Sequence, residues 1–419
     1  MRRGPSVQIV ALTVGALGVI AAGCSSDKAA PPTSQVTETV PVLPRADDGV
    51  LTIGVLTPQG SAFTEIGESI RKGAQLAVDD INRAGGIDGT GVKLIPEDED
   101  VLGTNLDAAI ANLIADKVDA IVGPASSANA LAGLGEIVDA GVVACSPTAS
   151  ASLLDDFPDK NLFFRTIPSD TLQGKAIAEA VDRTGADQAT IAYIDDAYGQ
   201  SFLKSVSDAL DDLDIAQTES FAYSTDNDSI DAAATKVASR KAGAVVVIGD
   251  ATSGPVMLEA IDAKETGFPP KYVINDAMRR PTASAQAIPD ALAVRVKGIS
   301  PVAYSSDPAF LAALGSTPDK PSPYAANAYD CVNLIALAAR SARSTQPVDI
   351  AGEIPAVSSS GSPCMTFAEC QHDLDTVTNI NYDGPDGSLT LDAKGDVINP
   401  RFEVFKFEDG RDVKDSTIP

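Results

Sequence analysis

Residues 121–130, IVGPASSANA, leave an apolar strand end through Gly-Pro and continue as small, hydroxyl-bearing residues without a charge. Backbone amides and serine hydroxyls at a helix start stabilise a carboxylate, because that end of the helix carries partial positive charge. A Ser-Ser pair by itself reads equally well as a helix cap. A second loop of the same kind follows, where VVAC runs into Ser146-Pro147-Thr148-Ala149-Ser150. Side by side, the two loops would form an anion cradle.

Other strand ends carry the opposite chemistry. ATIAYI runs into Asp195-Asp196-Ala197-Tyr198-Gly199, AVVVIG into Asp250-Ala251-Thr252, and YVIN into Asp276-Ala277. These carboxylates could receive a cation and Tyr198 could cover an apolar group, although each aspartate alone also suits a helix cap. Facing a hydroxyl-rich cradle, they point to a small zwitterionic ligand.

Catalytic inventories are thin. His372 is the single histidine, and neither G-x-S-x-G nor a P-loop motif occurs. Ser201 and Lys204 fit S-x-x-K, but no S-D-N or K-T-G accompanies them. NYDGPDGSLTLD has the look of a calcium loop, yet Pro385 occupies a ligand position, so it reads as a turn between strands. The expectation is a binding protein, not an enzyme, with no cofactor and no metal.

The elements that must position these residues alternate from Leu51 onward. LTIGVL precedes the helical IGESIRKGAQLAVDDINRAGG, in which Ile70, Ala74, Ala77, Val78 and Ile81 share one face. VKLIP, DAIVG and VVAC continue the series with helices between them, and a second series runs from a helix through AIAEAVDR to KYVIN. Such alternation predicts α/β architecture with parallel sheets covered on both faces, in two doubly wound lobes. Ligands of these sheets sit outside the carboxyl ends of the strands, which is where both kinds of loop fall.

Composition agrees with a large core and limits the partners. The 419 residues exceed ordinary single-domain size, and 44% are apolar. A formal charge of -27 argues against nucleic acid and anionic lipid surfaces. At the N-terminus, Arg2 and Arg3 precede an apolar run from Val7 to Ala22 that ends in AAGC, the pattern of a secretory leader. The AAGC segment resembles a bacterial lipobox, which implies lipidation of Cys24, with Ala21 where that motif usually has a larger aliphatic residue. SSDKAAPPTSQVTETVPVLPRADDG then reads as a flexible tether. The expected protein is a monomer, lipid-anchored at the outer face of the bacterial cell membrane.

From about Leu51 to Asp412 the sequence resembles the branched-chain amino acid type of periplasmic solute-binding protein, the extracytoplasmic receptor of ABC importers. The resemblance rests on GVLTPQGSAFTEIGESIRKGAQLAVDDINRAGG, IVGPASS, SPTAS, FFRTIPSD, DDAYG and AYDCVNLIALAA in that order. It implies two Rossmann-like lobes joined by hinge strands, the type I periplasmic binding protein fold, closing on a small ligand and presenting it to a permease. The implied organisation is a signal peptide over 1–23, a tether over 24–49, a first lobe from 50–165 and 296–360, and a second from 166–295 and 361–419. It further implies that Ser127, Thr148 and Ser150 take the ligand's carboxylate, that Asp276 takes its ammonium and that Tyr198 lies against it. Ile66 stands where amino acid binders often have Tyr, and the Asp250 loop lacks the aromatic found there. A receptor that signals to a membrane partner without import is the alternative.

Besides Cys24 there are four cysteines. Cys364 and Cys370 are close enough to close a small disulfide loop, which leaves Cys145 and Cys331 to pair, and the resemblance puts both of those in the first lobe. A zinc site would require closely spaced Cys or His pairs.

Overall fold

The computed structural model describes residues 47–418 except 60–63, 101–102, 266, 268, 280–287, 318–319, 321, 377–378 and 388. The expected signal peptide, Cys24 and nearly all of the tether lie outside the described residues.

The first series comprises β1 (Thr52–Thr57), α1 (Thr64–Arg83), β2 (Lys93–Asp98), α2 (Leu106–Ala115), β3 (Ala120–Val122), α3 (Ser127–Asp139), β4 (Val143–Ser146) and β5 (Phe163–Arg165). Its strands make one parallel sheet in the order β2-β1-β3-β4-β5. β1 and β3 are buried along their full lengths, as strands covered on both faces must be. α1 buries Ile70, Ala74, Ala77, Val78 and Ile81, the stripe that helical spacing predicts.

The second series comprises α4 (Asp170–Asp182), β6 (Gln188–Ile194), α5 (Ala197–Asp212), β7 (Ala216–Tyr223), α6 (Asn227–Ser239), β8 (Ala244–Ile248), α7 (Ser253–Lys264), β9 (Lys271–Ile274), α8 (Asp290–Ala293) and β10 (Val296–Pro301). The chain then passes through α9 (Pro308–Leu314), α10 (Ala325–Ala342), α11 (Pro347–Val357), β11 (Ser362–Cys364), α12 (Phe367–Thr376) and β12 (Ile380–Tyr382), and ends in the hairpin β13 (Phe402–Glu408) and β14 (Arg411–Ile418). The second sheet runs β14-β13-β10-β9-β8-β6-β7. β6 to β10 are parallel, and β13 joins β10 antiparallel.

Each sheet has its own core, so the molecule is two type I lobes. One apolar cluster covers the first sheet together with α10 and α11, and two others lie on opposite faces of the second sheet. Two segments fall in the other lobe from the one expected. β10, expected in the first lobe, hydrogen-bonds between β9 and β13 in the second sheet. Residues 361–397, expected in the second lobe, pack into the first core through Cys364, Phe367, Cys370, Ile380, Tyr382, Leu389, Leu391 and Val397. The cause is the position of the crossings: the chain leaves the second sheet only after Pro301 and returns to it only at Phe402.

Cys145–Cys331 joins β4 to α10, and Cys364–Cys370 joins β11 to α12, both as expected. Both bonds lie within the first core. No helix among the described residues is long and apolar enough to cross a membrane.

Candidate functional site

The first lobe contributes the loops after β3 and β4. Gly123 has φ 124°, and a Cβ there would lie 2.3 Å from the Leu56 carbonyl oxygen, so only glycine lets the chain leave the sheet this way. Ser126 caps α3 by accepting from the Asn129 amide. The structure brings Ser127, Thr148 and Ser150 together: Ser127 Oγ accepts from the amides of Ser150 (3.1 Å) and Ala151 (3.2 Å). Thr148 Oγ1 donates to the Ala125 carbonyl at 2.7 Å. Ser146 Oγ donates to Pro124 O at 2.7 Å and accepts from the Ala149 and Thr148 amides. Beneath them, fully buried Arg165 gathers the Ser150 and Ala151 carbonyls at 3.3 Å each and is held by Asp155 and Asp396.

Glu99, fully buried at the end of the first strand pair, changes the electrostatics of these loops. It accepts from the Ala125 amide at 3.1 Å and the Ser126 amide at 3.3 Å. Burial pushes its carboxyl up to about 8, against the pull of those amides.

The second lobe contributes acceptors. Asp276 opens the short turn after β9, and its Oδ1 accepts from Gln173 Nε2 at 2.9 Å. The same Nε2 also donates to the Ile299 carbonyl. Asp170, the first residue of α4, is fully buried, and neither of its carboxylate oxygens completes a hydrogen bond; Gln173 Oε1 is also unpartnered. Burial, and then the neighbouring Asp276 carboxylate, push Asp170 up to about 8, a shift that the nearby Ser150 hydroxyl and Arg165 only partly oppose. Burial likewise raises Asp276, which is half-buried.

Two tyrosines border these acids, Tyr198 from the second lobe and Tyr324 from the first. The Tyr198 hydroxyl accepts from Asn275 Nδ2 at 2.9 Å, and Asn275 is itself locked to Gly249 through both backbone groups. Tyr324 stands before α10 with φ 59°, a conformation that non-glycine residues adopt rarely and often at functional sites. Burial and the charge of Asp276 hold both phenols well above their usual range. Arg279 fixes the Asp276 turn from behind: it pairs with Glu403 (2.5 Å) and Asp412 (2.8 Å) and lies 4.8 Å from the ring centres of both Tyr304 and Phe405.

The lobes touch at this seam. The Asp170 amide donates to the Ser150 carbonyl at 2.7 Å, and Ser152 Oγ meets Ser201 Oγ at 2.6 Å. Asp250 does not join the site; its Oδ1 accepts from the Thr252 and Ser253 amides at the start of α7. A short aspartate reaches the next helix's amides more readily than it reaches across a cleft. Asp196 caps α5 in the same way, and Ile66 packs against the first core in the opening turn of α1. Among the described residues, no group of three or more His, Cys, Asp or Glu side chains could hold a metal ion.

Sequence reasoning did not single out Asp170, Gln173, Glu99 or Tyr324. Ser169-Asp170 reads as an ordinary helix start, and Glu99 sits inside EDED, which reads as a solvated acidic run. The one signal present was that FFRTIPSD sits at a lobe crossing.

A model of the periplasmic binding protein family matches residues 50–411. The chain belongs to this family. Relatives of this periplasmic binding protein include the chemotactic signal transduction system substrate-binding protein BasB of Halobacterium salinarum, 28% identical over 82% of this chain and 84% of that one. Leu/Ile/Val-binding protein homolog 3 of Brucella melitensis is 24% identical over 86% of this chain and 92% of its own. Among solved structures, the leucine-binding protein LivK of Thermotoga maritima superposes with a TM-score of 0.69 at 18% identity, covering 88% of this chain and 98% of that one, and so shares the fold. Its family membership makes it a solute-binding protein with an extracytoplasmic place of work.

Proposed function

We propose that this protein captures a small solute bearing an ammonium group, an amino acid or related compound, between its two lobes and delivers it to the permease of an ABC importer. The observation that carries this reading is the buried pair Asp170 and Asp276, with Gln173 between them, at the contact of the lobes. Buried acceptors without partners are costly in an empty protein, and a ligand's N–H groups would satisfy them. Such a ligand stabilises the closed form because only there does it meet both walls. In this reading Ser127, Thr148 and Ser150 line the opposite wall and Tyr198 covers the ligand. The protein acts as a monomer, held by lipid on Cys24 after removal of residues 1–23 and free to sample solution on its tether.

Native mass spectrometry of the full chain, followed by calorimetry with any co-purifying compound, tests the proposal. Recovery of an amine-containing solute supports it, and recovery of a solute without nitrogen removes it. The similarity to BasB favours a second reading, a sensor that reports ligand to a membrane partner. Loss of uptake of the identified solute on deletion of the gene supports transport; unchanged uptake with lost chemotaxis supports sensing.

A further inference from the structure

We infer that the cleft selects ligands of net positive charge, small organic amines without a carboxylate, in preference to zwitterionic amino acids. The inference rests on the proposed ammonium reading of the same site and makes its ligand class narrower.

The argument is an account of donors and acceptors at the seam. On the first-lobe wall, the amides of Ala125 and Ser126 are taken by Glu99, those of Thr148 and Ala149 by Ser146, and those of Ser150 and Ala151 by Ser127. The Thr148 hydroxyl is taken by the Ala125 carbonyl. What remains for an incoming carboxylate is the opening turn of α3 and the hydroxyl hydrogens of Ser127 and Ser150. On the second-lobe wall the balance is reversed. Asp170 Oδ1, Asp170 Oδ2 and Gln173 Oε1 are buried acceptors that complete no hydrogen bond, with the Ser150 hydroxyl the one donor close to Asp170, beside a second carboxylate on Asp276.

Among the described residues, the two arginines whose charge reaches these acids are both already paired. Arg165 is held by Asp155 and Asp396, and Arg279 by Glu403 and Asp412. A zwitterion would bring one ammonium to the acceptors of the second lobe and place its own carboxylate on the first-lobe wall, with few donors left to receive it. A primary amine supplies three N–H donors to the three orphan acceptors and adds no negative charge. Tyr198 and Tyr324 would then face the apolar body of the amine.

Matched pairs that differ only by the carboxylate test this directly: leucine against isoamylamine and lysine against cadaverine, by titration calorimetry on the full chain. In each pair the amine is expected to bind at least tenfold more tightly. Asp170→Asn, checked for folding by its melting curve, is expected to abolish that preference. Leucine binding more tightly than isoamylamine, or an unchanged preference in Asp170→Asn, overturns the inference while leaving the ammonium reading in place. Binding of benzoate with no response to any of the four amines overturns the ammonium reading itself, and a chain that takes none of these probes overturns both.

Discussion

The two walls of the cleft are built from similar loops at the carboxyl ends of parallel strands, yet they finish folding in opposite states. The first-lobe wall pairs its polar groups within itself: Ser127 with the next loop's amides, Thr148 with Ala125, and Glu99 with the start of α3. The second-lobe wall leaves Asp170 and Gln173 with bare acceptors. Residue types alone suggested two equal halves of a zwitterion site. The hydrogen bonds separate them, because a group already satisfied by its own protein contributes little to a ligand, whereas an unsatisfied buried group contributes much.

The lobes differ in construction as well, and the largest expected effect breaks them apart on that basis. Both disulfides lie in the first core, and the described residues of the second sheet carry none. Opening Cys145–Cys331, with a sequence separation of 186, should cost roughly 5 kcal/mol by chain entropy, against about 2 for Cys364–Cys370. Hydrogen exchange followed by mass spectrometry under reductant is expected to show protection lost in residues 52–165 and 325–397 while 170–301 keeps it. Equal loss across both regions would mean that the lobes unfold as one unit.

Next in size is the acceptor wall. Asp276→Ala should weaken binding of an ammonium-bearing ligand by about 3 to 5 kcal/mol, because it leaves that charge buried beside a single partner. Calorimetry with the identified ligand measures it. A loss below tenfold would assign the cation to Asp170 alone, and no loss would remove the ammonium from this wall.

The pH dependence has a definite sign. Asp170 and Glu99 each titrate near 8 in the folded protein but near the ordinary carboxylate range when unfolded, so the folded state holds protons that the unfolded state has released. Stability of the empty protein should therefore be greatest below about pH 4 as far as these groups decide it, and fall as pH rises toward 8. An amine favours ionised Asp170, so its affinity should climb over the same window. Melting curves from pH 5 to 8 are expected to drop by on the order of 5 °C, and Asp170→Asn should remove part of that drop, the rest belonging to Glu99 and to other buried carboxyls such as Asp330. A flat profile in the wild-type protein would mean that Asp170 and Glu99 are ionised throughout.

Much of the fold was legible because periodicity is plain: the α1 stripe and the uniformly apolar β8 each have one reading. Lobe membership after Val296 was not, because nothing local says which sheet a strand joins. At the site, Ser127, Thr148 and Asp276 were visible as loop residues at strand ends. Asp170 was hidden, since an aspartate after an N-cap serine is favoured at any helix start and acquires its unusual state only when the other lobe covers it. Asp250 shows the converse, a residue at the right strand end that its own helix claims.

The smallest effect separates the walls most cleanly. Ser127→Ala removes an oxygen that accepts from the Ser150 and Ala151 amides, so its first consequence is internal: two amides lose their partner, at a cost of about 1 kcal/mol of stability. If the ligand is a carboxylate-free amine, affinity should change by less than about threefold, since the acceptors on Asp170 and Asp276 are untouched. If the ligand carries a carboxylate that uses this loop, the same substitution should weaken it by nearer tenfold, and the loss should vanish for the matching amine. Measuring melting temperature and affinity on the same Ser127→Ala sample divides the two outcomes: a lower melting temperature with unchanged affinity assigns the first-lobe wall to the fold and the second to the ligand.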